Sequence, residues 1–355
     1  MFRKIPATVI TGFLGAGKTT LIRNLMENAG GRRIALIVNE FGDVGVDGEI
    51  LRGCGNEACG EEDIVELANG CICCTVAEDF IPTMQALIER DAPPDHIIIE
   101  TSGLALPQPL VRAFGWPEIR TRVTVDGVVT LVDARAVADG RFAHDPAAIE
   151  AQRQADDMLD HETPLSKLFE DQLACADMVV VNKIDLISEE ERTALEADLA
   201  RRLRPGVRIV RTAHGRLPAD VLLGMGAAAE TDMAGRSAPH HEHGDGDHHH
   251  DHDHDDFASF LVETGEIADR PAFLEALREV IAAHDVLRLK GFVPVAGKPL
   301  RLAVQAVGPR VESWFERPFA PDEPRRGRLV VIGQAPLDEA AIARALTEAA
   351  GRRAA

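Results

Sequence analysis

Three cysteines lie within four residues, in the sequence Gly70-Cys71-Ile72-Cys73-Cys74. On an extended chain, side chains two positions apart point the same way, so Cys71 and Cys73 can face one ligand while Cys74 adds a third thiolate. Thiolates are soft ligands that select transition metals such as Zn²⁺ or Co²⁺ over Mg²⁺. No second pair lies about 15 residues away, as it would in a zinc ribbon, and two or three ligands leave coordination positions open. The cluster therefore predicts an exchangeable metal site; the alternative is three small buried hydrophobic residues.

The remaining cysteines are less informative. Cys54 and Cys59 form a looser pair, which is either additional ligands or spare loop thiols, and Cys175 lies in an apolar helical pattern as a predicted core residue. A disulfide within a run as tight as Cys71–Cys74 would be strained. Thiols that must stay free indicate a reducing compartment, which predicts a cytoplasmic protein.

A glycine-rich segment near the start of the chain, Gly12–Thr19, fits the pattern G-x-x-x-x-G-K-[ST]. An apolar strand pattern precedes it and a helical pattern follows it, as phosphate binding requires. Glycines let backbone N–H groups close on phosphate oxygens, and the start of a helix adds positive potential. Lys18 would reach the β- and γ-phosphates, and Thr19 would bind Mg²⁺ through its hydroxyl. The predicted phosphate-binding residues are Gly12, Gly15, Gly17, Lys18, Thr19 and Thr20.

The segment Asn182-Lys183-Ile184-Asp185 follows an apolar strand pattern and indicates which base is bound. The Asp185 carboxylate can accept two hydrogen bonds, from the ring N–H and the exocyclic amine of guanine. Adenine has no donors in that arrangement and would leave the acid unpaired. The segment therefore predicts a guanine site formed by Asn182, Lys183 and Asp185, against the alternative of a surface turn.

Another apolar strand pattern, residues 96–100, ends in Glu100 and is followed by Gly103. A carboxylate there can hold Mg²⁺ directly or through water, so Thr19 and Glu100 are the predicted Mg²⁺ ligands. Gly103 could offer its backbone N–H to the γ-phosphate. The alternative for Glu100 is an ordinary acid at a strand end.

These segments need a scaffold that brings them together. Over residues 1–225, short β-branched apolar runs alternate with amphipathic helical patterns, which predicts an α/β domain with a mostly parallel sheet and helices on both sides. Residues 226–256 are predicted to be a flexible linker, since residues 240–256 hold eight of the 13 histidines interleaved with acids. This run is either a plain linker or a weak metal reservoir. Residues 257–350 predict a small α+β domain.

Composition excludes several classes of partner. The 355 residues include 38 Lys+Arg and 58 Asp+Glu, which gives a formal net charge of −20, and there are 13 Phe, 2 Trp and no Tyr. A chain this acidic and poor in stacking rings would repel phosphate backbones and anionic lipids. No apolar run approaches the ~18 residues of a membrane-spanning helix. We therefore expect no nucleic-acid or membrane partner.

Taken together, these motifs resemble the CobW family of metallochaperone GTPases. The similarity rests on the phosphate loop, the segment Asn39-Glu40-Phe41-Gly42, the cysteine cluster, residues 100–103 and Asn182–Asp185, and extends to the histidine run and the C-terminal domain. The resemblance implies a P-loop GTPase domain with GTP and Mg²⁺. It also implies that Glu40 and Asp47 lie in a switch segment that responds to the γ-phosphate. The predicted catalytic residues are Lys18, Glu40 and Glu100.

The closest similarity is to the branch that serves aerobic cobalamin synthesis, which implies Co²⁺ as cargo and cobaltochelatase as the receiving client. The zinc-handling branch is similar enough that Zn²⁺ stays open. The predicted mechanism is that Mg·GTP orders the metal-binding segment Cys71–Cys74 and that hydrolysis releases the metal. Two other hypotheses are a small-molecule kinase, which would have no use for Asp185, and a nucleotide-regulated metal store. The oligomeric state is not readable from the sequence.

Overall fold

The computed structural model describes residues 4–38, 64–66, 80–143, 145, 149, 164–233, 236, 257–320 and 323–352, and the chain divides into two compact units between residues 252 and 253. The first unit is built on a parallel sheet. Its strands are β1 (Ile5–Thr11), β2 (Ile34–Val38), β3 (Ile64–Glu66), β4 (His96–Glu100), β5 (Val123–Asp133), β6 (Met178–Asn182) and β7 (Arg208–Thr212). They lie in the order β3-β2-β4-β1-β5-β6-β7, and every neighbouring pair is parallel.

Helices connect these strands and cover the sheet. They are α1 (Lys18–Glu27), α2 (Ile81–Ile88), α3 (Pro107–Ala113), α4 (Ala134–Ala138), α5 (Leu165–Cys175), α6 (Glu189–Arg202) and α7 (Ala219–Leu222). Consecutive strand residues such as Val9 and Ile10, or Ile97 and Ile98, are fully buried, so both faces of the central strands are covered. The predicted α/β class with a parallel sheet is therefore confirmed.

Two strands of the first unit were not predicted from the sequence. β3 has only three residues, and β7 has the sequence Arg-Ile-Val-Arg-Thr, in which apolar and polar residues mix. Both lie at the edges of the sheet. An edge strand is less completely buried than a central one, so it does not show the continuous apolar run by which the central strands are identified.

The structure differs from the predicted linker at its N-terminal part, because the described residues of 224–236 pack onto the rest of the first unit. The Gly224 and Gly226 N–H groups donate to the Asp126 carboxylate at 2.6 and 2.8 Å. Ala229 is fully buried, and Arg236 is 1% exposed. The Arg236 guanidinium donates to both Asp177 carboxylate oxygens, at 2.9 and 2.7 Å. Sequence composition could not predict this ion pair, because the pair depends on a buried acid about 60 residues away in the chain.

We expect Arg236→Met to lower the free energy of unfolding of the first unit by roughly 3–5 kcal/mol, because it leaves the buried Asp177 carboxylate without its bidentate partner. Chemical denaturation of the full chain measures this loss. Arg201→Met is the matched control: Arg201 pairs with Asp198 at the surface, and its loss should cost less than about 1 kcal/mol. Equal effects of the two substitutions would contradict the prediction.

The second unit contains a five-stranded antiparallel sheet in the described residues. Its strands are β8 (Phe257–Thr264), β9 (Arg288–Val293), β10 (Leu300–Val307), β11 (Arg310–Pro318) and β12 (Gly327–Gln334), in the order β11-β10-β9-β12-β8. Its helices are α8 (Arg270–Ala283) and α9 (Glu339–Gly351), and their apolar residues share one core with the sheet. The predicted α+β class of this part is confirmed. Strand β11 was not predicted, because four charged residues interrupt the apolar pattern of this edge strand.

We find no helix in the described part of the chain that is both long enough and apolar enough to cross a bilayer.

Candidate nucleotide site

The predicted nucleotide-binding residues come together at the carboxyl edge of the parallel sheet. The phosphate loop follows β1, Glu100 ends β4, and Asn182 ends β6. Ligands of open α/β sheets bind at this edge, because the loops that leave neighbouring parallel strands meet there. A cavity of about 620 Å³ lies at this place, and the residues that line it are Leu14, Gly15, Gly17, Lys18, Thr19, Thr20, Arg23, Glu100, Asn182, Lys183, Asp185, Leu186 and His214.

The phosphate loop has the backbone geometry that its glycines allow. Gly12, Gly15 and Gly17 have φ angles of 134°, 78° and 102°, which L side chains rarely adopt. Gly17 is the N-cap of α1, so the first N–H groups of this helix face the cavity side of the loop. Lys18 is only 8% exposed, and its ammonium donates to the Gly12 carbonyl at 2.8 Å. The Lys18 ammonium is therefore hydrogen-bonded to the phosphate loop itself.

The residues at the Mg²⁺ position fit a hard cation. The Thr19 hydroxyl donates to a Glu100 carboxylate oxygen at 3.4 Å, and Glu100 is 5% exposed. A hydroxyl and a carboxylate that converge in this way are the oxygen ligands that Mg²⁺ prefers. The fold sets the position of the Glu100 carboxylate, because the next residue, Thr101, donates its N–H to the Ile10 carbonyl at 2.9 Å and so joins the end of β4 to β1.

Gly103 lies against the phosphate loop. A Cβ at this position would collide with backbone atoms of Phe13 and Leu14, so the close approach requires glycine. The fully buried Gln172 amide donates to the Gly103 and Ala105 carbonyls at 3.2 Å each, which fixes the loop after β4. The contact of the Gly103 N–H with a γ-phosphate stays a prediction.

Asn182 connects the phosphate loop to the base end of the cavity. Its amide nitrogen donates to the Ala16 carbonyl at 2.8 Å, and its amide oxygen accepts from the Gly215 N–H at 3.0 Å. A Cβ at Gly17 would collide with the same amide nitrogen. Asn182 thus holds two loops together, while the Asp185 side chain is 36% exposed in the cavity wall and is accessible to a base.

The loop after β7 contributes residues that the sequence analysis missed. His214 lines the cavity, and its Nε2 lies 3.8 Å from a carboxylate oxygen of Asp185. The Asn24 amide on α1 donates to the His214 and Gly215 carbonyls at 3.0 Å each, so the loop is fixed to the phosphate-loop helix. Recognising β7 as a strand would have drawn attention to this loop, because it leaves the same sheet edge.

The predicted switch and thiolate residues lie outside the described residues. They are Glu40, Asp47, Cys54, Cys59, Cys71, Cys73 and Cys74. Among the residues that the structure does describe, no three His, Cys, Asp or Glu side chains form a group that could hold a metal ion. Cys175 is fully buried, as predicted, and burial raises the pKa of its thiol to about 12. Cys175 is therefore a neutral core residue and not a thiolate ligand.

Comparison with known proteins extends the similarity to nearly the whole chain. Residues 6–211 match the family described as CobW/HypB/UreG, nucleotide-binding domain, and residues 257–350 match the cobalamin synthesis protein cobW C-terminal domain. The zinc chaperone CobW of Sinorhizobium sp is 58% identical over 347 residues, which is 97% of either chain. The zinc chaperone CobW of Pseudomonas aeruginosa is 54% identical over 350 residues, covering 98% of this chain and 92% of that one.

Among solved structures, that of Zn(II)-bound YjiA GTPase from E. coli covers 99% of this chain and 100% of its own, at 24% identity and a TM-score of 0.43. The two matched family regions together span most of the chain. The chain therefore belongs to the CobW/HypB/UreG family of P-loop GTPases.

Proposed function

We propose that this GTPase is a metallochaperone that binds Zn²⁺ through the thiolates of Cys71, Cys73 and Cys74 while Mg·GTP is bound, and that it releases the metal to a client after hydrolysis. Lys18, Thr19 and Glu100 would act at the phosphates and at Mg²⁺, and Asp185 would select guanine. Bound Mg²⁺ would neutralise part of the triphosphate charge.

One observation supports the proposal that metal binding and nucleotide binding are coupled. In the sheet register, Glu66 at the end of β3 pairs with Val38, and Val38 pairs with Glu100. Neighbouring strands lie about 4.8 Å apart, so the backbone at Glu66 is about 10 Å from that at Glu100. Cys71 follows Glu66 by five residues, which span at most about 18 Å even when fully extended. This supports a thiolate site within reach of the γ-phosphate.

Glu40 supports the same proposal. It follows the end of β2 by two residues, and β2 lies between β3 and β4. Because β2 is the neighbour of both strands, a carboxylate two residues after its end is close along the chain to the sheet edge where the nucleotide cavity and the start of the cysteine segment lie. We propose that the segment with Glu40 and Asp47 responds to the γ-phosphate and changes the metal affinity of the thiolates.

The choice of metal rests on chemistry and on the relatives. The resemblance of the sequence favoured Co²⁺, whereas two near-full-length relatives are called zinc chaperones. Thiolate sites with open coordination positions suit Zn²⁺, and Co²⁺ binds most nitrogen and sulfur sites more weakly than Zn²⁺ does. We therefore propose Zn²⁺ as the cargo. If Co²⁺ is carried instead, cobaltochelatase is the client that the resemblance implies.

The test is a titration of Zn²⁺ and Co²⁺ into the full chain with Mg²⁺ and either a non-hydrolysable GTP analogue or GDP. We expect Zn²⁺ to bind at least about 100-fold more tightly with the GTP analogue, which corresponds to roughly 3 kcal/mol of coupling. Cys73→Ser should abolish the tight site and its proton release, and Cys175→Ala is the control that keeps both.

Each arm of this titration can contradict one part of the proposal. Equal metal affinities in the two nucleotide states would contradict the coupling. A tight site that survives Cys73→Ser would contradict the thiolate assignment. Tighter nucleotide-dependent binding of Co²⁺ than of Zn²⁺ would overturn the choice of cargo and favour cobalt delivery.

A further inference from the structure

Lys183 of the predicted guanine site has an unusual backbone and a buried partner. Its φ and ψ are 62° and 33°, in the left-handed region that residues other than glycine rarely occupy. Its ammonium lies 2.6 Å from a carboxylate oxygen of Asp133, a residue 50 positions away in the chain. The Asp133 side chain is 1% exposed and that of Lys183 is 27% exposed. The surrounding structure thus holds the lysine in a conformation that the chain alone does not favour.

Asp133 is placed for this contact by two independent features. It is the last residue of β5, and in the sheet register it pairs with Asn182, the residue before Lys183. Its other carboxylate oxygen accepts from the Ala136 N–H at 3.1 Å and caps α4. Because one oxygen is fixed by the helix cap, the other oxygen is presented to Lys183 in a fixed direction.

The contact restrains a side chain of the nucleotide cavity. Lys183 lines that cavity, together with Asp185 two residues further on. An unrestrained lysine stem samples many rotamers, and fixing them when a ligand binds lowers affinity. An ion pair with a buried carboxylate fixes the stem before the ligand arrives. A fixed stem presents a methylene surface on which a flat base can lie.

We propose that Asp133 is a positioning residue for guanine recognition, which acts by holding the Lys183 stem as one wall of the base site beside Asp185. The proposal deepens the proposed function, since it depends on the base lying against Lys183 and Asp185. Nothing in the chemistry of Asp133 requires it to touch the nucleotide.

Asp133→Asn tests this in the full chain, because an asparagine oxygen can still cap α4 while its amide no longer attracts the ammonium. The dissociation constants of Mg·GTP and of Mg·tripolyphosphate are measured by calorimetry. The second probe uses the phosphate loop but has no base. We expect the constant for GTP to rise about tenfold, the effect of one lost charged hydrogen bond, and that for tripolyphosphate to change less than about twofold. The control is Asp139→Asn at the other end of α4, which removes ion pairs with Arg135 and Arg141.

A second pair of variants replaces the lysine and leaves Asp133 in place, and a double variant then combines the two changes. Lys183→Met should weaken GTP about tenfold, and Lys183→Arg should retain most of the affinity because a guanidinium can still pair with Asp133. In the double variant Asp133→Asn/Lys183→Met, the loss should not exceed that of Lys183→Met alone, since both remove the same interaction.

The outcomes are distinguishable. Unchanged GTP affinity in Asp133→Asn, equal losses for GTP and tripolyphosphate, or additive losses in the double variant would each overturn the role of Asp133. If Asp133→Asn does not fold, equal losses in Lys183→Arg and Lys183→Met overturn it. Unchanged GTP affinity in Lys183→Met would also overturn the role of Asp133. If the parent protein binds Mg·GTP no more tightly than Mg·tripolyphosphate, the assignment of the base site on which the proposal depends is overturned instead.

Discussion

Lys18→Ala is expected to lower the kcat of GTP hydrolysis about 10³-fold, the upper range for removing one donor aimed at developing charge. The Lys18 ammonium now donates to the Gly12 and Phe13 carbonyls, at 2.8 and 3.4 Å, and is 8% exposed. It therefore sits over the loop that receives the phosphates. Among the described residues that line the cavity, Lys18 is the cation in the first turn of α1, and Arg23 lies further along this helix. Single-turnover hydrolysis with saturating Mg·GTP measures the chemical step.

The control for this prediction is Lys167→Ala, which removes an exposed lysine that pairs with Asp171 on α5. We expect its kcat to stay within about twofold of the parent, because surface ion pairs contribute little. A thermal unfolding curve of Lys18→Ala shows whether the loop itself is weakened. Turnover that survives in a folded Lys18→Ala protein would contradict the assigned role of this lysine.

Asp185→Asn is expected to change the preference for GTP over xanthosine triphosphate by roughly 10⁴-fold, as expected for a site built to pair with a particular donor. The Asp185 carboxylate would accept from the N1–H and the amine of guanine. Xanthine has a carbonyl where guanine has the amine, and an asparagine amide can donate to it. The side chain is 36% exposed, and Asp185 lies within a short 3-10 turn, Ile184–Leu186, so the substitution should not disturb the fold.

The ratio of kcat/KM for the two nucleotides is the measured quantity, because it compares transition-state binding in one protein. Asp198→Asn on α6 is the control, and we expect it to leave the preference unchanged, since Asp198 pairs with Arg201 and Arg202 at the surface and does not line the cavity. A GTP preference that persists in Asp185→Asn would contradict the guanine assignment and would reopen the kinase hypothesis.

Much of the central architecture could be predicted from local pattern. Strand β4 was predicted with the bounds observed, residues 96–100, and the strand before Asn182-Lys183 was predicted where β6 lies, because continuous apolar runs mark buried strands. The edge strands β7 and β11 were missed, since their mixed patterns depend on which neighbour they pair with. The packing of Arg236 was missed for a related reason: it depends on Asp177, which is distant in sequence.

The sequence by itself determined the chemistry of this protein. Glycines with a lysine and a threonine predict phosphate binding, an aspartate after a strand predicts selection of guanine, and three adjacent thiols predict a transition-metal site. These inferences follow from residue type and short spacing, which the covalent chain preserves in any fold.

Only the tertiary structure decided which groups meet. The strand order places β1 between β4 and β5, so that Thr19 and Glu100 come within hydrogen-bond distance although 81 positions separate them. It also pairs Lys183 with Asp133 and brings the His214 loop to the cavity. Such contacts depend on the long-range register between parallel strands. That register is fixed by burying all the strands together, so no short stretch of sequence contains it.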